Sequence, residues 1–219
     1  MESTPAAWSQ TDAFLAETLV GHDPALEAAL TAQREAGLPE IEVAPVAGKL
    51  LDLLVRISGA RRVLEIGTLG GYSTIWMARA VGPHGRVVTI EAEADNAAVA
   101  RASIDAAGVG DRVDIRVGRG ADVLPTLDGE FDLVFIDADK ESNTIYLDWA
   151  ARLGRPGTVI VLDNIGREGE IVREDSTDSK VDGTRDGLRM LGDDPRFDAT
   201  ALQTVGAKGW DGVALALVV

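Results

Sequence analysis

The sequence predicts an α/β fold: a mostly parallel central sheet with helices on both faces and an antiparallel hairpin at its C-terminal edge. Three observations carry this. From Arg61 onward short β-branched runs alternate with amphipathic stretches through short connections, the pattern of strands and crossover helices. The stretch from Val63 to Ser73, VLEIGTLGGYS, takes an apolar strand straight into a glycine-rich turn and then a helix. Two apolar runs, Ala199 to Val205 and Gly212 to Val219, close the chain with only Gly206 to Asp211 between them.

The elements follow in order. Residues 1–60 read as a helical cap: Trp8 to Leu19, a second helix opened by Asp23-Pro24 and closed by Gly37, and a third from Ala44 to Ser58 ending at Gly59. Proline at a first helical position and glycine just past a last turn are the expected punctuation. Residues 61–219 read as the core of the same single domain, 1–219. Its strands are Val63 to Ile66, Arg86 to Ile90, Arg112 to Val117, Phe131 to Ile136 and Thr158 to Leu162. Between them lie helices from Tyr72 to Val81, Asp95 to Ala107, near Ala121, and Glu141 to Leu153. The charged stretch Gly166 to Asp182 has no apolar period and reads as a mobile loop or lid; a helix from Thr184 to Leu191 follows.

Composition narrows the function. The chain has 219 residues, 46% of them apolar, enough for one substantial core. A net charge of −15 with no Lys/Arg cluster disfavours a nucleic-acid partner. The absence of cysteine excludes disulfides, thiolate catalysis and zinc–thiolate sites. Met1 to Pro5 shows no basic start before an apolar core and no stretch is long enough to span a membrane, so a cytoplasmic location is expected. His22 and His84 stand in polar turns and read as surface residues.

Ligands of such sheets bind outside the carboxyl ends of the strands, so the residues there are the candidates. They are Glu65 and Gly67, then Glu91, then Gly118 to Gly120, then Asp137 to Lys140, then Asp163-Asn164. The turn reads G-x-x-G-G rather than G-x-G-x-x-G, which weighs against a dinucleotide pyrophosphate. Glu91, closing the second strand, suits ribose hydroxyls, because one carboxylate accepts from two adjacent OH groups. Asp137, Asp139, Asp163 and Asn164 gather oxygen atoms at one edge; oxygen-only ligation suits a hard divalent ion, Mg²⁺, Ca²⁺ or Mn²⁺, rather than zinc or copper. Helix capping is the alternative for these residues, of equal weight for Asp139. Repulsion from a nearby cation favours the neutral form of a lysine, which makes Lys140 a candidate general base.

Together, the Glu65-to-Ser73 turn, Glu91, the run Phe131 to Lys140 (FDLVFIDADK), Asp163-Asn164 and the closing Gly209 to Leu215 (GWDGVAL) resemble the cation-dependent, S-adenosylmethionine-dependent O-methyltransferases, the family of the caffeoyl-CoA and catechol enzymes. The resemblance covers the chain from about Glu40 onward. It implies the Rossmann-like class I methyltransferase fold. It places Glu65, Gly67 and Ser73 at the methionine end of the cofactor, Glu91 and Asp137 also on the cofactor, Gly118, Arg119 and Gly120 around adenine, and Val43 against it. Asp137, Asp163 and Asn164 become the metal ligands and Lys140 the base. Arg119 and Ile41 depart from the family's usual residues. A small phenolic acceptor and a homodimer are implied as well. The apolar N-terminal helices are the interface the sequence itself offers, and Trp210, just before the terminal run, reads either as a wall of the acceptor pocket or as plain core packing.

Other readings stay open at this stage. A nicotinamide-dependent oxidoreductase shares the sheet and the ribose acid but gives the crowded carboxylates no role. A non-catalytic cofactor-binding protein, and methylation of a hydroxyuridine in tRNA, are the others; the acidic charge weighs against the last.

Overall fold

The computed structural model describes residues 4–219; residues 1–3, part of the N-terminal stretch read above for a leader, lie outside the described residues. Helices α1 (Pro5–Leu15), α2 (Pro24–Glu35) and α3 (Pro45–Ser58) come first, α1 running on through a π turn at Ala16–Val20. Each begins on a proline, whose missing N–H is no loss there. Thr4 caps α1 by accepting from Ala7 N, and Asp23 caps α2 by accepting from Ala25 N and Leu26 N. The Thr4-Pro5 pair is why α1 starts ahead of the expected Trp8.

Seven strands form one sheet in the order β3-β2-β1-β4-β5-β7-β6. They are β1 (Arg62–Ile66), β2 (Arg86–Glu91), β3 (Val113–Val117), β4 (Leu133–Ile136), β5 (Val159–Asp163), β6 (Phe197–Gly206) and β7 (Gly209–Val218). The first five are parallel, and β7 runs antiparallel to both neighbours. Connections are made by α4 (Tyr72–Ala80), α5 (Ala94–Ala106), the short α6 (Gly120–Val123), α7 (Asn143–Leu153) and α8 (Ser179–Asp193). Among the described residues no helix is long and apolar enough to cross a membrane.

The strands read as continuous apolar runs because both faces are covered. Val63 packs with Leu51, Val55, Ile75 and Ile104 on one face, while Leu64 and Ile66 pack with Leu124, Tyr146, Leu147 and Leu191 on the other. Register then sets the site. Ile66 pairs with Ile90 and with Ile136, and Ile136 pairs with Leu162, so the next residues along, Gly67, Glu91, Asp137 and Asp163, stand on one level. Strand order reverses between β1 and β4, which makes the gap between Gly67 and Asp137 the topological switch point where such sheets take ligands.

Two expectations change near the C-terminus. Strands β6 and β7 are longer than expected and joined by Ala207-Lys208 alone, with Gly209 at φ +100 making the tight turn and Asp12 accepting from Ala207 N. The segment expected to be a free loop from Gly166 to Asp182 is tied down. Its Arg167–Val172 part is tightly turned and kinked at Glu168 and Gly169, where φ is +54 and +81, and α8 already begins at Ser179, capped by Asp178. Arg185 of α8 donates to the carbonyls of Ile171 (2.9 Å), Glu170 (3.2 Å) and Arg173, pinning the segment to the helix. The early start escaped the sequence reading because Val181 is the one apolar residue of the first turns on the buried face of α8, which continues with the polar Thr184 and the small Gly187. Glycine lets α8 approach closely: a Cβ at Gly183 would stand 2.3 Å from the carbonyl oxygen of Lys140.

Candidate active site

A single cleft of roughly 1490 Å³ runs along the carboxyl ends of β1, β2, β4 and β5. Val43, Gly67, Ser73, Glu91, Gly118, Arg119, Gly120, Asp137, Lys140, Asp163 and Asn164 all line it. Of the residues predicted to hold cofactor or metal, only Glu65 stands back from its wall.

Glu65 is fully buried, and its carboxylate accepts from Ser73 Oγ (2.5 Å), Thr89 Oγ1 (2.7 Å) and Thr74 Oγ1. It joins β1, β2 and the first turn of α4, and Ser73 is the member of this group that faces the cleft. Burial pushes the Glu65 carboxyl up to about 7 against the pull of the three hydroxyls.

The glycine turn is shaped by two contacts. Gly67 has φ +99, and a Cβ there would lie 2.0 Å from the backbone oxygen of Asp137, so β1 and β4 close on each other only through glycine. Glu91 then braces the turn: its carboxylate accepts from Thr68 N (3.2 Å) and Leu69 N (2.7 Å), with Glu93 N and Asn96 Nδ2 on the other oxygen. Leu69 sits at φ +51, a left-handed conformation that this clamp helps hold. At the far side, Gly120 passes the ring of Tyr146 so closely that a Cβ would lie 2.7 Å from it.

Sequence reading missed Gln33 and Asn96. Gln33 is buried, donates to Pro39 O (2.9 Å) and Glu42 Oε2 (2.7 Å), and leaves its Oε1 without a donor beside Gly70. The signal was available: with Leu26 and Ala29 it sits at i, i+3, i+7 on the buried face of α2, a polar residue in an apolar stripe. An orphaned buried acceptor at the turn suits the ammonium of the cofactor's methionine end.

At the other end, Lys140 Nζ donates to Asp137 Oδ1 at 3.0 Å; Lys140 is 5% exposed, the one buried lysine or arginine among the described residues. Asp163 accepts from Asn164 N (2.8 Å), and Asn164 adopts φ +58. Burial first, then the charge of Asp137, pushes the Asp163 carboxyl up to about 7. Asp139 neither caps a helix through its side chain nor stands free: its carboxylate accepts from Ser142 Oγ and from the Tyr146 hydroxyl. Among the described residues no three His, Cys, Asp or Glu side chains are grouped to hold a metal. The set in question has two carboxylates and an amide, and its donor chemistry, with like charge driving Asp163 toward protonation, fits a hard divalent cation.

These two raised carboxyls fix a pH dependence. A folded pKa above the unfolded one means the native state keeps protons that the unfolded chain releases, so stability falls as pH rises from the ordinary carboxylate range to about 7. Asp23, Glu42 and Asp132 are held below their usual values and act at lower pH. Thermal melts in chelator should therefore show Tm falling between about pH 5 and 7.5; a Tm that rises through this window would contradict the assignment.

Trp210 is not a wall of the large cleft. It packs under the Arg167–Val172 segment, where a Cβ on Gly169 would be 2.7 Å from its ring, and donates to Gln203 Oε1 at 3.1 Å. His22 and His84 are exposed, as expected.

A sequence profile described as O-methyltransferase matches residues 18–218. The chain belongs to the O-methyltransferase family. A catechol O-methyltransferase of Mycobacterium tuberculosis is 59% identical over 208 residues, covering 94% of each chain. One of Niastella koreensis is 48% identical, covering 96% of this chain and 97% of the relative. Among solved structures, an O-methyltransferase from Bacillus cereus in complex with SAH has TM-score 0.97 at 46% identity, covering 99% of this chain and all of the other. The resemblance read from the turn, the FDLVFIDADK run and Asp163-Asn164 is borne out, as are the class I methyltransferase fold and the assignment of an S-adenosylmethionine-dependent O-methyltransferase.

Proposed function

We propose that this O-methyltransferase transfers the methyl group of S-adenosylmethionine to one hydroxyl of a catechol-like vicinal diphenol, assisted by a divalent cation, Mg²⁺ foremost and Ca²⁺ or Mn²⁺ as substitutes. The observation that carries the reading is the single cleft in which the glycine turn and the Asp137, Lys140, Asp163 and Asn164 group share one level of the sheet. Relatives named catechol O-methyltransferase at 59% and 48% identity support the diphenol.

On this reading Gly67 and Ser73 receive the methionine end, with Glu65 holding Ser73 from behind and Gln33 beside the turn. Glu91 takes the ribose, and Gly118, Arg119 and Gly120 bound the adenine. Val43 covers the cofactor and Asp137 reaches both it and the metal. Asp137, Asp163 and Asn164 hold the cation, which when bound lowers the pKa of neighbouring hydroxyls. Lys140 accepts the hydroxyl proton at Nζ. Val43, Phe135 and Val161 exclude water from the reacting centre. The rest of the rate comes from alignment of acceptor oxygen and methyl group.

The test is methyl transfer from labelled donor, with Mg²⁺, to catechol, hydroxycinnamoyl and polyketide-type diphenols beside matched monophenols. Transfer confined to diphenols is expected, as is a Tm raised by S-adenosylhomocysteine and not by NADH. Equal transfer to monophenols, or stabilisation by NADH alone, overturns the reading.

The reading includes a homodimer. Leu50, Leu53 and Ile57 form one exposed stripe on α3, at 38%, 39% and 80% exposure, and Phe14 and Leu19 are exposed on the first helix and its π turn. Light scattering should give twice the chain mass; a monomer at micromolar concentration overturns this part.

A further inference from the structure

The chain carries 21 lysines and arginines against 36 acids, and most of these cations are engaged by a carboxylate or carbonyl, as Arg79 is by Asp23 and Arg185 by Ile171. Among the described residues the side chains of Arg61, Arg119, Arg167 and Lys180 have no hydrogen-bond or ion-pair partner. Three of these, Arg119, Arg167 and Lys180, line the cleft. Unpaired cations in so acidic a chain are scarce, and their concentration on one surface is informative.

Arg119 belongs to the adenine end. Arg167 and Lys180 flank the other end, where Lys140, Asp163 and Asn164 stand. Arg167 follows Asn164 by three positions in the chain. Lys180 lies in the first turn of α8, which is joined to the Lys140 segment by Ser179 Oγ donating to Glu141 Oε1 at 2.8 Å.

Arg167 is also held in place. Asp211 Oδ1 accepts from Gly166 N (2.7 Å) and Arg167 N (3.2 Å), and Arg167 and Glu168 keep left-handed backbones at φ +48 and +54. Its Nε is buried with no acceptor, an N–H that has lost water without gaining a partner.

Acids line the same end, but they are occupied. Glu42 accepts from Lys208 and Gln33, Asp137 from Lys140, Asp139 from two hydroxyls, and Asp211 from three backbone N–H groups. Asp163 is placed for the cation. Glu40 and, next to Arg167, Glu168 are left without a side-chain partner there, and both are exposed. Among the described residues, the unpaired charged group held half-buried at that end is therefore the Arg167 guanidinium.

We infer that the acceptor carries an anionic substituent, a carboxylate or a phosphate, received by Arg167 and Lys180 while its diphenol end enters the cleft. The inference rests on the diphenol reading above and specifies which diphenols are preferred. Arg167 offers the planar fork that matches such an anion, and Lys180 adds a mobile point charge.

The experiment compares kcat/KM, with Mg²⁺ and saturating donor, for 3,4-dihydroxybenzoate, a phosphate-bearing catechol, neutral 4-methylcatechol and the cationic 4-(2-aminoethyl)catechol. The wild-type enzyme should favour an anionic acceptor over the neutral one by about tenfold or more, the scale of one charge-assisted hydrogen bond. Whichever anion gains more identifies the group recognised. Arg167→Gln with Lys180→Gln should lower the anionic-to-neutral ratio by about tenfold, mainly through KM, and Arg167→Lys should keep part of it. Lys180→Gln alone, at an exposed helix position, gives a folded variant whatever Arg167→Gln does to the backbone, and it too should lower the ratio. Equal or better use of the neutral or cationic diphenol, or a ratio unchanged in the variants, overturns this inference and leaves the diphenol reading standing. No transfer to any of the four acceptors overturns both.

Discussion

Lys140→Ala is expected to lower kcat by about a hundredfold to ten-thousandfold, the usual worth of a positioned general base, while S-adenosylhomocysteine binding changes little. Lys140 is buried at 5% exposure with Nζ 3.0 Å from Asp137, and it sits beside no other buried cation among the described residues. Because alanine also leaves Asp137 without its partner, Lys140→Arg separates the two roles. Arginine keeps the charge beside Asp137 but does not give up its proton, so it should be nearly as inactive as alanine. Single-turnover methyl transfer with binding of S-adenosylhomocysteine by calorimetry reads both. Turnover near wild type in either variant removes the lysine from the mechanism.

Gly67→Ala is expected to cost at least about 3 kcal/mol in denaturant unfolding and to abolish measurable binding of S-adenosylhomocysteine. The added Cβ meets the Asp137 carbonyl oxygen at 2.0 Å, and neither that oxygen nor the φ of +99 can relax without parting β1 from β4. Gly70→Ala is the control. There the nearest atom is Gln33 Oε1 at 2.5 Å, the end of a side chain that can swing, and φ is not in the left-handed region. It should fold and bind the cofactor more weakly. An unchanged Tm and Kd in Gly67→Ala contradict the close approach.

Much of this was legible from residues alone, for identifiable reasons. Strand ends were readable because parallel strands buried on both faces are nearly pure Val, Ile and Leu, so the first polar residue after each run, Glu91, Asp137 or Asp163, marks the carboxyl edge. Register then brings those residues level without any further signal. What was not legible depends on contacts between distant segments. That Glu65 lies behind the wall, gripped by Ser73, Thr74 and Thr89, follows from the pleat of β1 and the packing of α4. The charged stretch after Asn164 reads as loose because its fastening is external: Arg185 holds its carbonyls, Asp211 holds its start and Trp210 fills the space beneath Gly169. Gln33 stands out in the sequence as a polar residue in the apolar stripe of α2, but what it faces, Gly70 of the turn, follows only from the packing.

The claim on which the mechanism stands is that Asp137, Asp163 and Asn164 hold a divalent cation that activates the acceptor, and chelation tests it most directly. Methyl transfer to a vicinal diphenol should vanish in EDTA, return on adding excess Mg²⁺, and fail to return in Asp163→Ala at the same Mg²⁺ concentration. Full activity in rigorously metal-free buffer, or in Asp163→Ala, contradicts it.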